Sequence, residues 1–234
     1  MPPPNTANWI RLGLLALPVY GLLTFWTTLD PQPDPSTDYE AWARYVSTNY
    51  YVLKHLLGSI LGLVFAIFGV FALGAYLAKG RAGRMGLVAM VITVTANALF
   101  LPLLGTSTFA APEVGRAYLA GIEESAQLDP GFAVYVQGAT FLLVIVLLFV
   151  GNVLLGVAVW RSGTLPRWAG AIWAASAVLM YPLGQVIAMT ITGSTPRTVL
   201  VGALLIVISG GWIAWSVMRQ PSTQVGAETQ PRVH

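Results

Sequence analysis

Four polar side chains stand in or at the ends of otherwise apolar stretches: His55, Asn97, Gln137 and Gln185. An imidazole can donate or accept a hydrogen bond and can titrate near neutral pH, whereas an amide forms hydrogen bonds without carrying charge. In an apolar setting each of these groups needs a partner, so each is a candidate for a functional site. Together they predict a small polar site that binds an uncharged ligand.

Each of the four has a structural alternative that the sequence leaves open. His55 follows Lys54 at the end of an apolar stretch, where it either caps a helix bundle or contacts a ligand and senses pH. Asn97 lies one helical turn beyond Thr93, and its amide either bonds a neighbouring helix or lines a cavity. The same choice holds, with less force, for a group of four residues: Gln137, Asn152, Ser176 and Gln185.

The chain lacks the residues that several kinds of functional site require. The chain has no cysteine, which excludes disulfides, thiolate metal sites and cysteine nucleophiles. The only other histidine, His234, is near the chain end, so we expect no metal or haem cofactor. No carboxylate lies inside an apolar stretch, so a buried proton relay is not predicted. An enzyme would have to use His55 with the loop acids Glu123, Glu124 and Asp129.

The elements that carry these residues are six apolar runs. Charged residues form 9% of the chain, against about 25% in ordinary soluble domains. About 20 apolar residues in a helix cross a bilayer core. The sequence therefore predicts an all-α integral membrane protein, a six-helix transmembrane bundle within residues 9–218, between disordered tails at 1–8 and 219–234. The predicted spans are 12–29, 54–78, 85–104, 132–160, 168–190 and 199–218. The first resembles a signal peptide but lacks a small-residue cleavage pattern, so we interpret it as an uncleaved span.

Two connections are predicted to hold short amphipathic surface helices. In 30–51, the pattern from Thr37 to Glu40 suggests a capping box, and aromatic residues follow at helical spacing. Those aromatics fit either the lipid headgroup layer or a lid over a binding site. In 105–131, Pro112 is placed to begin a second short helix.

Charge predicts the orientation. Eight of the basic residues fall on the side of the termini and four on the other side, which also holds eight of the nine acids. The positive-inside rule then places both termini in the cytoplasm, in what we interpret as a bacterial plasma membrane. The small net charge of +3 does not suggest nucleic-acid binding.

An internal repeat is also predicted. A shift of 82 residues aligns His55 with Gln137, and a shift of 80 aligns Pro102 with Pro182. Each unit would hold two spans, which makes a parallel repeat about the membrane normal. The alternative is chance alignment among 24 glycines. A repeat would make His55 and Gln137 face each other, with Asn97 and Gln185 near the same region.

Residues 163–170, with the sequence Gly-Thr-Leu-Pro-Arg-Trp-Ala-Gly, form a G-x-L-P-R-W-x-G turn into an apolar run. This turn resembles small six-span bacterial membrane proteins, many of them actinobacterial, that are grouped as domains of unknown function. The resemblance implies a six-span layout and no particular activity. Three functions stay open: a non-catalytic protein that binds a lipid or membrane partner, a transporter or channel for a small neutral solute, and a membrane enzyme with an outer-face site.

Overall fold

The computed structural model describes residues 6–30, 32–122, 131–188 and 197–220. Across these residues the chain is helical without strands, and six helices are long and apolar enough to cross a membrane. The predicted all-α six-helix bundle is confirmed. In chain order the spans are Asn8–Thr27, Asn49–Leu77, Gly83–Leu119, Phe132–Arg161, Arg167–Val186 and Arg197–Met218.

The spans contain both α-helices and wider π-helical segments. The α-helices are α1 (Thr6–Leu14), α2 (Ala16–Thr27), α3 (Tyr39–Val46), α4 (Asn49–Lys54), α5 (Leu61–Leu77), α6 (Gly83–Gly105), α7 (Ala111–Leu119), α8 (Phe132–Arg161), α9 (Arg167–Met180) and α10 (Arg197–Met218). The π segments are π1 (His55–Ile60), π2 (Thr106–Ala110) and π3 (Tyr181–Ala188).

The six spans form a ring in sequence order. Each packs against the next, and α10 of the sixth span closes the ring against α2 of the first. At one end, Arg11 donates to the carbonyl of Gln220, and Tyr76 donates to the Gln220 side chain. We call this the basic end, because it carries Arg11, Lys79, Arg81, Arg84, Arg161, Arg167 and Arg219. The described acids lie at the opposite, acidic end: Asp30, Asp34, Asp38, Glu40 and Glu113.

Toward the basic end the helices approach closely at small residues. A Cβ on Gly156 of α8 would lie 2.6 Å from the Gly170 carbonyl oxygen of α9. A Cβ on Gly151 would lie 3.1 Å from the backbone nitrogen of Thr93. Helix association in lipid depends on such packing, because apolar burial offers little advantage there. Small residues therefore allow close helix packing at these two crossings.

One buried hydrogen bond joins α8 to α9. The Trp173 indole Nε1 donates to Asn152 Oδ1 at 3.0 Å, and Asn152 Nδ2 donates to the Leu148 carbonyl at 2.8 Å. Trp173 is 1% exposed. Asn152 therefore takes the structural alternative of the two open to it.

The first span is broken rather than continuous. Leu15 separates α1 from α2, and its N–H bonds the Leu12 carbonyl in a tighter turn. Pro18 explains the break, because it has no N–H for the Leu14 carbonyl and its ring crowds that carbonyl. Helix α1 begins at Thr6, inside the stretch predicted as a tail.

The turn from α8 to α9 requires a glycine. Gly163 has φ +71°, a left-handed conformation that side chains with a Cβ adopt only with strain. Pro166 then precedes the first residue of α9. The turn that carries the family resemblance thus has a local structural reason for its glycine and its proline.

At the acidic end the two short helices α3 and α7 pack on each other. A Cβ on Gly115 would lie 2.9 Å from the Ala43 carbonyl oxygen, and the rings of Tyr39 and Tyr118 meet edge to face at 4.7 Å. Helix α7 also continues the third span through π2, so that helix runs on to Leu119.

The predicted capping box is wrong. The N-cap is Asp38, whose Oδ1 accepts from the Ala41 N–H at 2.8 Å. The helix begins one residue later than predicted, which puts Glu40 at the second helical position instead of the third. There it pairs with Arg44 one turn on and cannot complete the box.

Candidate functional site: a cavity at the acidic end

The three π segments of the described residues all lie toward the acidic end of the bundle. A π-helix has a wider turn than an α-helix, is rare in proteins and is frequent at functional sites. Here side-chain hydroxyl groups donate hydrogen bonds to backbone carbonyls in or next to π2. The Tyr51 hydroxyl donates to the Ser107 carbonyl in π2 at 2.9 Å, and the Thr108 hydroxyl donates to the Leu104 carbonyl at 2.7 Å.

The π segments border one cavity of about 560 Å³, which is within the usual range for small-ligand sites. It extends from exposed Asp30 to buried Leu148. Every span contributes to its wall, so the cavity lies inside the ring of helices. One lining residue from each span, in chain order, is Tyr20, His55, Phe100, Gln137, Met180 and Val199.

Three of the four predicted site residues line this cavity. His55 is on π1, Gln137 is in the first turns of α8, and Gln185 is on π3. Asn97 does not line it. Its side chain is 2% exposed, and its Nδ2 donates to the Thr93 carbonyl of its own helix at 2.8 Å instead of to a neighbouring helix.

The depth of the cavity explains the position of Asn97. Phe100, Leu103 and Leu104 line the cavity, so on α6 the lining begins about one turn closer to the acidic end than Asn97. At the level of Asn97 and Thr93, α6 packs against α8 instead. Asn97 therefore belongs to the packed part of the bundle.

His55 is held by the residue one turn before it. Its Nδ1 lies 3.0 Å from the Tyr51 carbonyl oxygen, and the two rings lie 4.0 Å apart. A carbonyl oxygen can only accept, so Nδ1 carries the hydrogen of this bond. In the neutral ring Nε2 is then the acceptor that His55 can offer to a cavity occupant.

No group of three or more metal-ligating side chains occurs among the described residues. The acids that an enzyme would combine with His55, namely Glu123, Glu124 and Asp129, lie outside the described residues, as does His234.

Two tyrosines of the cavity were not predicted as site residues. Tyr20 and Tyr181 line the cavity, are nearly buried and share a hydrogen bond between the first and fifth spans. The signal that points to them is a phenol inside an apolar run, because a buried hydroxyl requires a partner.

An ion pair lies at the mouth of the cavity. Lys54 Nζ lies 2.9 Å from Asp30 Oδ2, and the Lys54 side chain is 1% exposed. The Tyr50 hydroxyl donates to the same oxygen at 3.0 Å. The hydrogen bond from Lys54, followed by the one from Tyr50, lowers the pKa of Asp30. Asp30 is the one acid among the described lining residues, so the lining deeper than Asp30 carries no carboxylate.

Tyr45, on the surface helix α3, also lines the cavity. Burial, and then the charge of Asp30, raise the pKa of its hydroxyl. It therefore stays protonated and able to donate. Surface helix α3 thus reaches the cavity through Tyr45.

No protein-family model, curated protein or solved structure matches the chain. The resemblance to small six-span bacterial membrane proteins remains a prediction.

Proposed function

We propose that this protein is a multi-pass protein of the bacterial plasma membrane, with cytoplasmic termini, that binds a lipid-like molecule with an uncharged polar group. The observation that carries the proposal is the cavity of about 560 Å³ shared by all six spans, with neutral hydrogen-bonding side chains near its mouth and apolar ones at its base. The role is binding, without a catalytic step.

The lining favours a neutral ligand. His55, Gln137 and Gln185 offer hydrogen bonds without formal charge, and Asp30 is already paired with Lys54. An ionic ligand that lost its hydration there would meet no free counter-charge. Phe141, Ile145 and Leu148 supply apolar surface deeper in the cavity, which suits the hydrocarbon part of an amphipathic molecule.

The closed basic half favours binding over transport. Beyond Leu148 the helices cross at Gly151 and Gly156, where backbone atoms of α6 and α9 fill the space. A transporter for a small neutral solute is the second candidate, since uncharged polar side chains also suit that role. It would need an alternate packing that opens these crossings.

The orientation follows from charge. The basic end carries seven described Lys and Arg residues and no described acid. Positive residues near span ends are retained in the cytoplasm, so the cavity would open on the outer side.

The decisive experiment tests whether the protein still binds its ligand when a bulky side chain fills the cavity. Gly138 lines it, and a Cβ there would meet no atom within 4 Å. We expect Gly138→Trp to occupy the cavity while the fold persists. Gly211→Trp is the matched control, because Gly211 also has open space around a Cβ but does not line the cavity.

Native mass spectrometry of protein extracted with its own lipids gives the readout. A discrete retained mass is expected in the wild type and in Gly211→Trp, and it should be absent from Gly138→Trp. Equal retention in Gly138→Trp would refute binding at this cavity, and so would a wild type that carries no discrete mass.

Transport is tested separately. The chain has no cysteine, so Gln137→Cys creates a unique label site. In sealed vesicles, modification from one side only supports binding. Modification from both sides would favour the transporter.

A further inference from the structure

The arginines of the basic end divide into two groups by their partners. Three of them contact other residues of the chain. Arg11 donates to the Gln220 carbonyl at 2.6 Å. The guanidinium of Arg167 lies 5.8 Å from the ring centroids of both Trp160 and Trp168. The guanidinium of Arg219 lies 3.9 Å from the ring of Trp215.

The other three, Arg81, Arg84 and Arg161, are exposed and have no hydrogen bond, ion pair or aromatic contact among the described residues. All three line one recess of about 450 Å³ between the α5–α6 turn and the end of α8. Lys79 is on the same turn but does not line the recess. The recess is thus set apart from the general positive charge of this end.

Among the described residues, the recess concentrates positive charge without a counter-ion. The described acids all lie at the opposite end of the bundle. Helix α6 begins at the recess with no acidic residue in its first turn and no side-chain cap, so the positive end of its dipole adds to the three guanidinium groups. Like charges in one site repel each other, and a bound anion would relieve that repulsion.

We propose that this recess binds a phosphate group. Guanidinium groups present paired N–H donors that match phosphate oxygens, which is why arginine is frequent in phosphate sites. The recess lies where spans two, three and four end, which is the depth of lipid headgroups, and basic pockets at that depth bind anionic headgroups. The phosphate is that of a lipid headgroup or a free phosphate ion. This site is independent of the cavity at the acidic end.

The test uses the full chain in neutral detergent at fixed salt. Dissociation constants are measured by native mass spectrometry for phosphatidylglycerol and for diacylglycerol with the same acyl chains, which lacks the phosphate. The test variant carries Arg81→Gln, Arg84→Gln and Arg161→Gln. The control carries Lys79→Gln, Arg167→Gln and Arg219→Gln, which removes the same charge from the same end.

We expect the wild type to prefer phosphatidylglycerol. At about fivefold per basic residue near a membrane surface, the test variant should bind it about 100-fold more weakly. The control should lose only a small part of its affinity. Any diacylglycerol adduct should be unchanged in both variants. Equal losses in the test and control variants would overturn the proposal, as would equal wild-type affinity for the two lipids.

The source of the phosphate is decided by competition with inorganic phosphate at constant ionic strength. Displacement of phosphatidylglycerol by millimolar phosphate, but not by chloride, assigns the site to a free phosphate ion. Failure to displace the lipid assigns it to a headgroup. If the triple variant does not fold, Arg161→Gln and Arg167→Gln form a single-residue pair on the same turn. Equal affinity in that pair would then overturn the proposal.

Discussion

The helices pack differently in the two halves of the bundle. In the basic half, glycines let helix backbones touch, as at Gly156 and Gly170. In the acidic half, π segments widen three of the spans, and bulky side chains surround a cavity of about 560 Å³. Irregular backbone at membrane depth is tolerated where it borders a cavity. The difference agrees with the proposed function, which needs a packed half for stability and an open half for binding.

Polar side chains follow the same division. In the basic half Asn97 and Asn152 are buried, and their amide groups bond the protein itself. In the acidic half Gln137 and Gln185 face the cavity and are only half-buried. An amide in an apolar run is thus not by itself a sign of a ligand.

The largest effect is expected when a larger side chain replaces a glycine, because the two halves should respond differently. Gly170→Leu should destabilise the protein by about 3 kcal/mol or prevent folding, as overpacking does. Its Cβ would meet the Trp160 backbone nitrogen at 2.8 Å, and backbone cannot rotate away. Gly138→Leu has open space and should stay within about 0.5 kcal/mol of the wild type. Reversible denaturant unfolding in one detergent measures both. Comparable losses would show that the acidic half is as tightly packed as the basic half.

A smaller effect is expected for the hydrogen bond between Trp173 and Asn152. A double-mutant cycle with Trp173→Phe and Asn152→Leu should give a coupling of about 1 kcal/mol, the usual size for such bonds in membranes. The cycle cancels the lost volume of the indole. A coupling near zero would mean that the two side chains act independently and that close packing alone joins α8 to α9.

The smallest effect is expected at the mouth of the cavity. The pKa of Asp30 is lowered by its bond from Lys54 and then by Tyr50, so the folded state favours the carboxylate. The stabilisation is complete above the ordinary pKa of 3.8 and is lost as pH falls through the lower folded value. The difference in melting temperature between wild type and Asp30→Asn should therefore be constant from pH 7 to pH 5 and should shrink only below about 4. A difference that already shrinks near pH 6 would contradict this ion pair.

The spans were predictable because hydropathy is a local property. Runs without charge, ended by the basic turns near Arg81 and Arg161, placed all six helices. Short helices near Tyr39 and Pro112 were also predicted, although the capping box was wrong and α7 continues the third span. Helix boundaries were predicted less accurately where a single residue determines them. The break that Pro18 causes in the first span was not predicted.

The site was only partly predictable, because a cavity depends on helix rotation and on contacts between distant segments. The position of Asn97 along its helix was clear, but its rotation is set by the contact of α6 with α8 at Gly151. Pro102 and Pro182 mark helices that depart from regular geometry, yet they do not specify π turns. The partnership of Tyr20 with Tyr181 joins residues far apart in the chain, which no local pattern could indicate.

The closure of the ring has a consequence for biogenesis. Every other neighbour pair of spans is adjacent in the chain, so those contacts can form as each span leaves the ribosome. The contact of α10 with α2 joins the sixth span to the first and must wait until the sixth span has been synthesised. Until then the groove at Gly21 that receives Val207 stays uncovered. Because Arg11 and Gln220 end up in contact, a short linker could join the chain near these two residues, and a permuted chain opened at another loop would then complete the ring at a different pair of helices.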